Sequence, residues 1–137
     1  MKKLLLMLGL IATFIMPVSA NAETKTMNSL YAVAFHADWC GSCKILGPNV
    51  VKARGKADLD NKNILFVKLD LTSATTRNQS ALMAQALGIS DFYKSNSGKT
   101  GFVLLVNSEN GEILEKVTKD MDSGQIISTI EENAKAI

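Results

Sequence analysis

The two cysteines of this chain lie three residues apart and directly follow an apolar run at residues 30–35, in the stretch Trp39-Cys40-Gly41-Ser42-Cys43-Lys44. A short apolar run of this kind is typical of a buried strand. Where such a strand ends in a short turn and a helix begins, Cys40 stands at the helix N-terminus, where unpaired N–H groups and the helix dipole favour the thiolate over the thiol. Cys43 follows about one helical turn later, within reach of Cys40. The sequence therefore predicts a redox dithiol at a strand–helix junction.

A structural disulfide and a metal site are the alternatives for this cysteine pair. A bridge across two intervening residues closes so small a loop that it constrains the unfolded chain little. Two thiolates can hold copper or zinc, but a closed tetrahedral zinc site needs four ligands and the only histidine of the chain is His36. We therefore assign no metal ligand and no cofactor, and keep copper binding as an alternative.

The first 22 residues are typical of a secretory signal peptide. A basic start with Lys2 and Lys3 precedes an apolar stretch at 4–16 and small residues that end at Ala22. The apolar stretch is shorter than the roughly 20 residues of a membrane-spanning helix, so we expect cleavage after Ala22 rather than retention as an anchor. The expected product is one domain of residues 23–137, exported to the bacterial periplasm, with no stable membrane insertion.

Charge argues against several classes of partner. Removal of Lys2 and Lys3 leaves 13 basic and 13 acidic residues, so the mature chain is close to neutral. A neutral chain without long basic runs gives no electrostatic reason to bind nucleic acid or anionic lipid. We expect a monomer whose partners are other proteins.

Hydrophobic periodicity divides the rest of the chain into seven elements. Apolar runs at 30–35, 64–71 and 102–106 and an alternating pattern at 112–118 predict four strands. Helical patterns at 43–57, 76–87 and after Asp122 or Ser123 predict three helices, the first kinked at Pro48. Asn110 and Gly111 predict a hairpin between the last two strands. Because strands joined through a helix run parallel, we expect an α/β domain with a central mixed sheet and helices on both faces, in the order β-α-β-α-β-β-α.

Three stretches of this chain resemble the thioredoxin family. They are the run from Phe35 to Lys44 with Pro48 after it, the Val-Lys-Leu-Asp sequence at 67–70, and the hairpin at 110–112. This combination is specific: Phe35, Ala37, Asp38 and Trp39 precede the cysteines, and Pro48 follows the second cysteine by five residues. The resemblance covers nearly all of the mature domain and implies a thioredoxin-like fold. The family's first strand and helix have no clear counterpart, so residues 23–29 add an edge strand or stay without regular structure.

The resemblance also implies thiol–disulfide exchange with cysteine-containing proteins or redox partner proteins. Cys40 is then the attacking thiolate, and Cys43 is the resolving thiol that releases the mixed disulfide. The neighbouring residues complete the expected site: Trp39 as a shield and contact surface, Gly41 and Ser42 as the turn that tunes the reduction potential, Lys44 as a nearby charge or an ordinary solvated lysine, and Pro48.

Three residues near the dithiol are compared with their counterparts in the family. Ala34 stands where thioredoxins bury an aspartate that helps to deprotonate the resolving cysteine, so another base or water must act here. Lys68 matches the lysine that accompanies this aspartate, and either tunes the site or extends into solvent. His36 replaces a large aromatic, and its imidazole either titrates beside the cysteines or, as we favour, packs on the strand without facing them.

The loop that carries a cis-proline in thioredoxins is also different. Thr100 takes this position in our interpretation, and we expect a trans bond because a non-proline cis bond costs about 2.5–4 kcal/mol. Loss of the proline alters substrate docking and slightly favours metal access to the thiols. Residues 91–98 are interpreted as a loop insertion, whose Phe92 and Tyr93 either form a partner-binding rim or, as we favour, pack onto the core.

Together these patterns predict an exported thioredoxin-like thiol–disulfide oxidoreductase, acting as a reductase or an oxidase. A copper-binding module and an adaptor without turnover, both with the same fold, are the alternatives from another class. Substitution of Cys40 by serine would abolish the oxidoreductase but leave an adaptor working.

Overall fold

The computed structural model describes residues 29–137, which form four strands, four α-helices and one 3-10 turn. The strands are β1 (Leu30–His36), β2 (Ile64–Asp70), β3 (Phe102–Asn107) and β4 (Ile113–Thr118). The helices are α1 (Gly41–Ala57), α2 (Ala74–Ala86), α3 (Ser90–Asn96) and α4 (Ser123–Lys135), and the 3-10 turn is Leu59–Asn61.

The strands form one mixed sheet in the order β2-β1-β3-β4. β1 pairs in parallel with β2, and it pairs antiparallel with β3, which pairs antiparallel with β4. The turn between β3 and β4 contains Gly111 with φ of 73°, a left-handed conformation that glycine adopts without strain. The predicted mixed sheet and its hairpin are confirmed, and β2 is an edge strand within the described part of the chain.

Alternation along β1 explains why both faces of the sheet are covered. Tyr31, Val33 and Phe35 pack into a cluster with residues of α2 and α3, whereas Leu30 and Ala32 pack into a second cluster with residues of α1 and α4. Since successive strand side chains point to opposite faces, an uninterrupted apolar strand needs a helical layer on each side. The predicted arrangement of helices on both faces is therefore confirmed.

The expected loop at 91–98 is instead largely the helix α3, so the order of elements gains one short helix. The Tyr93 side chain is buried, and its hydroxyl donates a hydrogen bond to the Arg77 carbonyl at 2.9 Å. The ring centroids of Phe92 and Tyr93 lie 6.3 and 6.4 Å from that of Phe35. Aromatic packing holds this polar segment in a helix, and the favoured packing role of both aromatics is confirmed.

The ends of two helices differ by two residues from the expected positions. α1 begins at Gly41 rather than 43 and continues through Pro48 to Ala57. α2 begins after Ser73, whose hydroxyl accepts a hydrogen bond from the Thr76 N–H. Among residues 29–137, no helix is long and apolar enough to cross a membrane. The predicted signal peptide and the segment 23–28 lie outside the described residues.

Candidate active site

The two cysteines occupy the start of α1. Cys40 is the N-cap residue, with extended backbone angles, and its sulfur accepts a hydrogen bond from the Cys43 N–H at 3.1 Å. The two residues are joined by a disulfide, with their Cα atoms 5.3 Å apart. The Cys43 sulfur lies 3.9 Å from the carbonyl oxygen of Phe35 on β1. The end of β1 and the first turn of α1 thus hold both sulfurs at the predicted junction.

The disulfide is recessed, whereas the neighbouring tryptophan is exposed. Cys40 and Cys43 are each 6% exposed and pack with the buried Ala37. Trp39 is 63% exposed, and its indole N–H donates a hydrogen bond to the Thr72 carbonyl at 3.3 Å. A large apolar ring held by one hydrogen bond next to a dithiol provides a flat contact surface for a partner.

Thr72 connects the end of β2 to the turn before the dithiol. Its hydroxyl accepts a hydrogen bond from the Asp38 N–H at 3.0 Å, and its own N–H donates to the Asp70 carboxylate at 2.8 Å. Hydrogen bonds from the Thr72 hydroxyl and N–H lower the pKa of Asp70, and the charges of Lys68 and His36 lower this pKa further. Local sequence predicts no role for Thr72 or Asp70, because a threonine or an aspartate at the end of a strand carries no specific signal.

Gly101 lies beside the dithiol turn, at a position where no side chain fits. Its N–H donates to the Phe35 carbonyl at 2.9 Å, and its φ is 88°. A Cβ atom at this position would lie 2.6 Å from Ser42 Cβ and 3.3 Å from Cys40 Sγ. The described residues contain no cis peptide bond, in agreement with the trans bond expected at Thr100. Gly101, one residue after Thr100, is therefore the position in this loop at which a side chain would meet Ser42 and Cys40.

The two basic residues proposed to tune the site lie on the side of the sheet that α1 covers. His36 is partly buried, with Nε2 3.2 Å from the Asp38 carboxylate. Lys68 is 58% exposed at its side chain, with its ammonium 3.9 Å from the Asp70 carboxylate. Lys68 therefore extends towards solvent, while the tuning roles of both residues stay predictions.

A groove of about 300 Å³ lies between α1 and the sheet, against β1, the edge strand β2 and the start of β3. We call it the α1–β2 groove, and it is lined by Ala34, Cys43, Gly47, Val51, Phe66 and Lys68 among others. Small residues on the sheet and on the helix, Ala34 and Gly47, leave this space open. The groove thus reaches Cys43 beside Ala34.

The remaining predicted neighbours lie along α1. Gly41 and Ser42 form its first turn, Lys44 is exposed one residue after Cys43, and Pro48 lies inside the helix. Within residues 29–137, no cluster of three or more histidine, cysteine or acidic side chains is suited to hold a metal ion.

A mixed sheet with a dithiol at the start of a covering helix defines a thioredoxin-fold protein. The thioredoxin family model matches residues 18–132, and the chain therefore belongs to the thioredoxin family. Its fold is similar to that of a thiol:disulfide interchange protein from Chlorobium tepidum TLS, with a TM-score of 0.53 and 13% identity over 79% of this chain and 81% of the other.

Curated relatives are similar over shorter segments. Rabbit protein disulfide-isomerase is 39% identical over 51 residues, covering 37% of this chain and 10% of the relative. Mouse mitochondrial thioredoxin is 37% identical over 65 residues, covering 41% of this chain and 36% of the relative. The chain thus aligns with about a tenth and about a third of the lengths of these two proteins.

Proposed function

We propose that this protein is an exported thiol–disulfide oxidoreductase that acts on cysteine-containing proteins. The observation that carries the proposal is the Cys40–Cys43 disulfide at the start of α1, where the Cys43 N–H already points at the Cys40 sulfur. When the pair is reduced, this N–H and the helix dipole stabilise negative charge on Cys40. Family membership and the similarity to disulfide-isomerase and thioredoxin support the same chemistry.

The exchange runs in two balanced steps. The Cys40 thiolate attacks one sulfur of a substrate disulfide, and the other substrate sulfur leaves as a thiolate that takes up a proton. Cys43 then gives its proton to water or a base and attacks Cys40 Sγ, which breaks the mixed disulfide and releases the second substrate thiol. The protein loses two electrons and the substrate disulfide gains them; the reverse sequence oxidises a substrate dithiol.

The loop before β3 offers a place for the substrate backbone. Within the described residues, no hydrogen bond engages the N–H or carbonyl of Thr100, and this residue directly precedes Gly101 at the Cys40 sulfur. An extended substrate segment can pair with these groups while Trp39 covers its side chains. Export to the bacterial periplasm and a monomeric state remain part of the proposal, and export rests on the signal-like sequence of residues 1–22.

The proposal is tested by equilibrating the protein, purified from the periplasm of an expressing bacterium, in a series of glutathione redox buffers. We expect one two-electron transition between the dithiol and the Cys40–Cys43 disulfide, measured by thiol alkylation and mass. A midpoint near the thioredoxin value of about −270 mV indicates a reductase, and one near about −120 mV indicates an oxidase. Failure to form the intramolecular disulfide in any buffer contradicts the proposal.

Two variants assign the roles of the cysteines. Cys43→Ser is expected to accumulate the mixed disulfide with a substrate peptide, because the resolving thiol is absent. Cys40→Ser is expected to form none with the same peptide, since the helix N-terminus favours the thiolate at the N-cap residue Cys40 and Cys43 lies inside the first turn. Equal trapping by both variants would contradict this assignment.

A further inference from the structure

The outward surface of α1 combines lysines and exposed apolar side chains. Its exposed positions recur every three to four residues, so they fall within an arc of about 140° around the helix. We call this surface the α1 face, and it consists mainly of Lys44, Ile45, Pro48, Val51, Lys52 and Lys56.

The charge of the α1 face has no internal compensation. α1 contains no acidic residue, and Lys44, Lys52 and Lys56 form no ion pair within residues 29–137. Arg54, the other basic residue of α1, is instead paired with Asp60 at 2.6 Å. Three unpaired ammonium groups on one surface therefore attract a negatively charged partner.

The apolar part of the α1 face is unusually open. Ile45 is 54% exposed and Val51 is 69% exposed. Val51 also lines the α1–β2 groove, which continues to Phe66 on one side and to Cys43 at the dithiol. Apolar side chains beside a groove provide area that a partner can bury. The lysines around them favour a partner that is negatively charged.

From this charge complementarity we propose that the α1 face docks an acidic segment of the redox partner, with alternating apolar residues, while the partner's cysteine reaches Cys40. The inference rests on the proposed oxidoreductase function and names its partner class. The distance along α1 from Lys44 to Lys56 is about 18 Å, which five or six extended residues span. A protein segment is favoured over an anionic membrane because the face adjoins the dithiol and has only two strongly exposed large apolar residues.

The test uses peptides in which one cysteine forms a mixed disulfide with 2-nitro-5-thiobenzoate. Attack by reduced protein breaks that bond, joins the peptide cysteine to Cys40 and releases the coloured thiolate. One peptide carries an eight-residue tail of alternating Glu and Leu, a second replaces Glu with Gln, and a third replaces it with Lys. Each tail is placed before or after the cysteine, so that either chain direction on α1 is sampled.

We expect the Glu tail to react about tenfold faster than the Gln tail at low salt, and the Lys tail to react slowest. The difference should shrink at about 0.5 M salt, where exposed charges are screened. Lys52→Gln with Lys56→Gln should bring the Glu-to-Gln rate ratio close to one without altering Lys44. Val51→Ser should lower the rates with all three tails, because each of them contains Leu.

The matched control replaces Lys94, Lys119 and Lys135 with Gln, which changes more charge than the double variant but leaves α1 intact. This control should keep the wild-type ratio. Equal rates for all three tails, or the same loss of preference in the control, would overturn the docking proposal. The proposal would also be overturned if the protein bound vesicles of phosphatidylcholine and phosphatidylglycerol but showed no rate preference among the three peptide tails. If no peptide releases the coloured thiolate, it is the oxidoreductase proposal that fails.

Discussion

Gly101 shows how a missing side chain shapes the surroundings of the dithiol. The expectation from the family resemblance concerned Thr100, at the position of the family's cis-proline, and not Gly101. In the structure a Cβ atom at Gly101 would lie 2.6 Å from Ser42 Cβ, and the residue has φ of 88°. Two independent constraints, the left-handed backbone and the absent space for a Cβ, therefore require glycine here.

Gly101→Ala should alter the dithiol as well as the stability of the protein. A left-handed alanine costs of order 1–3 kcal/mol, and its Cβ must also displace Ser42 or the loop. We expect slower alkylation of reduced Cys40 by a bulky maleimide and a shifted redox midpoint in glutathione buffers.

Two glycines provide matched controls for this prediction. Gly88 has φ of 72° but open space around its Cβ position, whereas Gly98 has open space and no positive φ. Gly88→Ala should lower the free energy of unfolding without changing Cys40, and Gly98→Ala should change neither. The added substitution Ser42→Gly should partly restore Cys40 alkylation in Gly101→Ala; no restoration would show that the close contact is not the cause.

At the scale of elements, the junction between β2 and α2 supports the active site. Thr72 joins two segments that are distant in sequence, since it forms hydrogen bonds with Asp38 and Trp39 in the turn before α1 and with Asp70 at the end of β2. Parallel pairing of β1 and β2 places His36 opposite Asp70, and so brings these two strand ends together. These hydrogen bonds could not be predicted from local sequence, because Thr72 is 34 residues from Asp38 and 33 residues from Trp39.

Substitution of Asp70 should make stability less dependent on pH. Its pKa is lowered in the folded state, chiefly by the Thr72 hydrogen bonds, so the carboxylate stabilises the fold above its ordinary pKa and this contribution is lost as pH falls through the lowered value. Asp70→Asn should therefore be less stable than the wild type near pH 7, and the gap should narrow in strong acid.

Urea unfolding at pH 7 and near pH 3 measures this gap. In a Thr72→Val background the effect of Asp70→Asn should be smaller, because the main cause of the lowered pKa has been removed. A gap of equal size at both pH values would be inconsistent with the assigned linkage.

The sequence predicted every strand and every long helix of the described residues, but not the short helix α3. The four strands and the helices α1, α2 and α4 follow from apolar periodicity and from caps such as Asp122, whose carboxylate accepts hydrogen bonds from the Gly124 and Gln125 N–H groups. α3 was missed because it has only seven residues and no side-chain cap. It is held by Tyr93 and Phe92 against Phe35, a contact between distant parts of the chain.

At the scale of the molecule, one sheet separates two apolar clusters that share β1. Ile126 of α4 is fully buried in the cluster below α1, whereas Trp39 reports on the dithiol end of the fold and is the only tryptophan of the chain. If the domain unfolds as one unit, loss of packing at Ile126 must also shift the unfolding transition that Trp39 fluorescence reports.

Ile126→Ala should lower the free energy of unfolding by about 2–5 kcal/mol, because it removes buried methyl groups and leaves a cavity. Urea transitions followed by Trp39 fluorescence and by far-UV circular dichroism should shift together. Ile113→Ala, at a side chain that is 46% exposed, is the control and should change stability by much less. Separate transitions for the two probes would show that the two layers unfold independently.

The distribution of charged side chains over the surface is also a property of the whole molecule. The sequence, near neutral without its first lysines, argued only against nucleic acid and anionic lipid as partners. Folding places three lysines on the α1 face that form no ion pair within residues 29–137, while glutamates concentrate in the β3–β4 hairpin and α4. A chain of balanced charge therefore has an uneven charge distribution on its surface. Helical periodicity is enough to place the α1 lysines on one face. Only the tertiary structure shows that Arg54 is paired with Asp60 and so adds no unpaired charge.

The sequence by itself determined the family, the mixed sheet and the strand–helix junction at the dithiol, because these depend on residues that are neighbours in the chain or recur with a regular period. Only the tertiary structure decided that a side chain at Gly101 would collide with Ser42 beside the dithiol, that Thr72 holds the turn before α1, and that Ala34 leaves a groove open beside Cys43. These features join segments far apart in sequence. Their contacts depend on sheet register and side-chain volume, which local pattern does not specify.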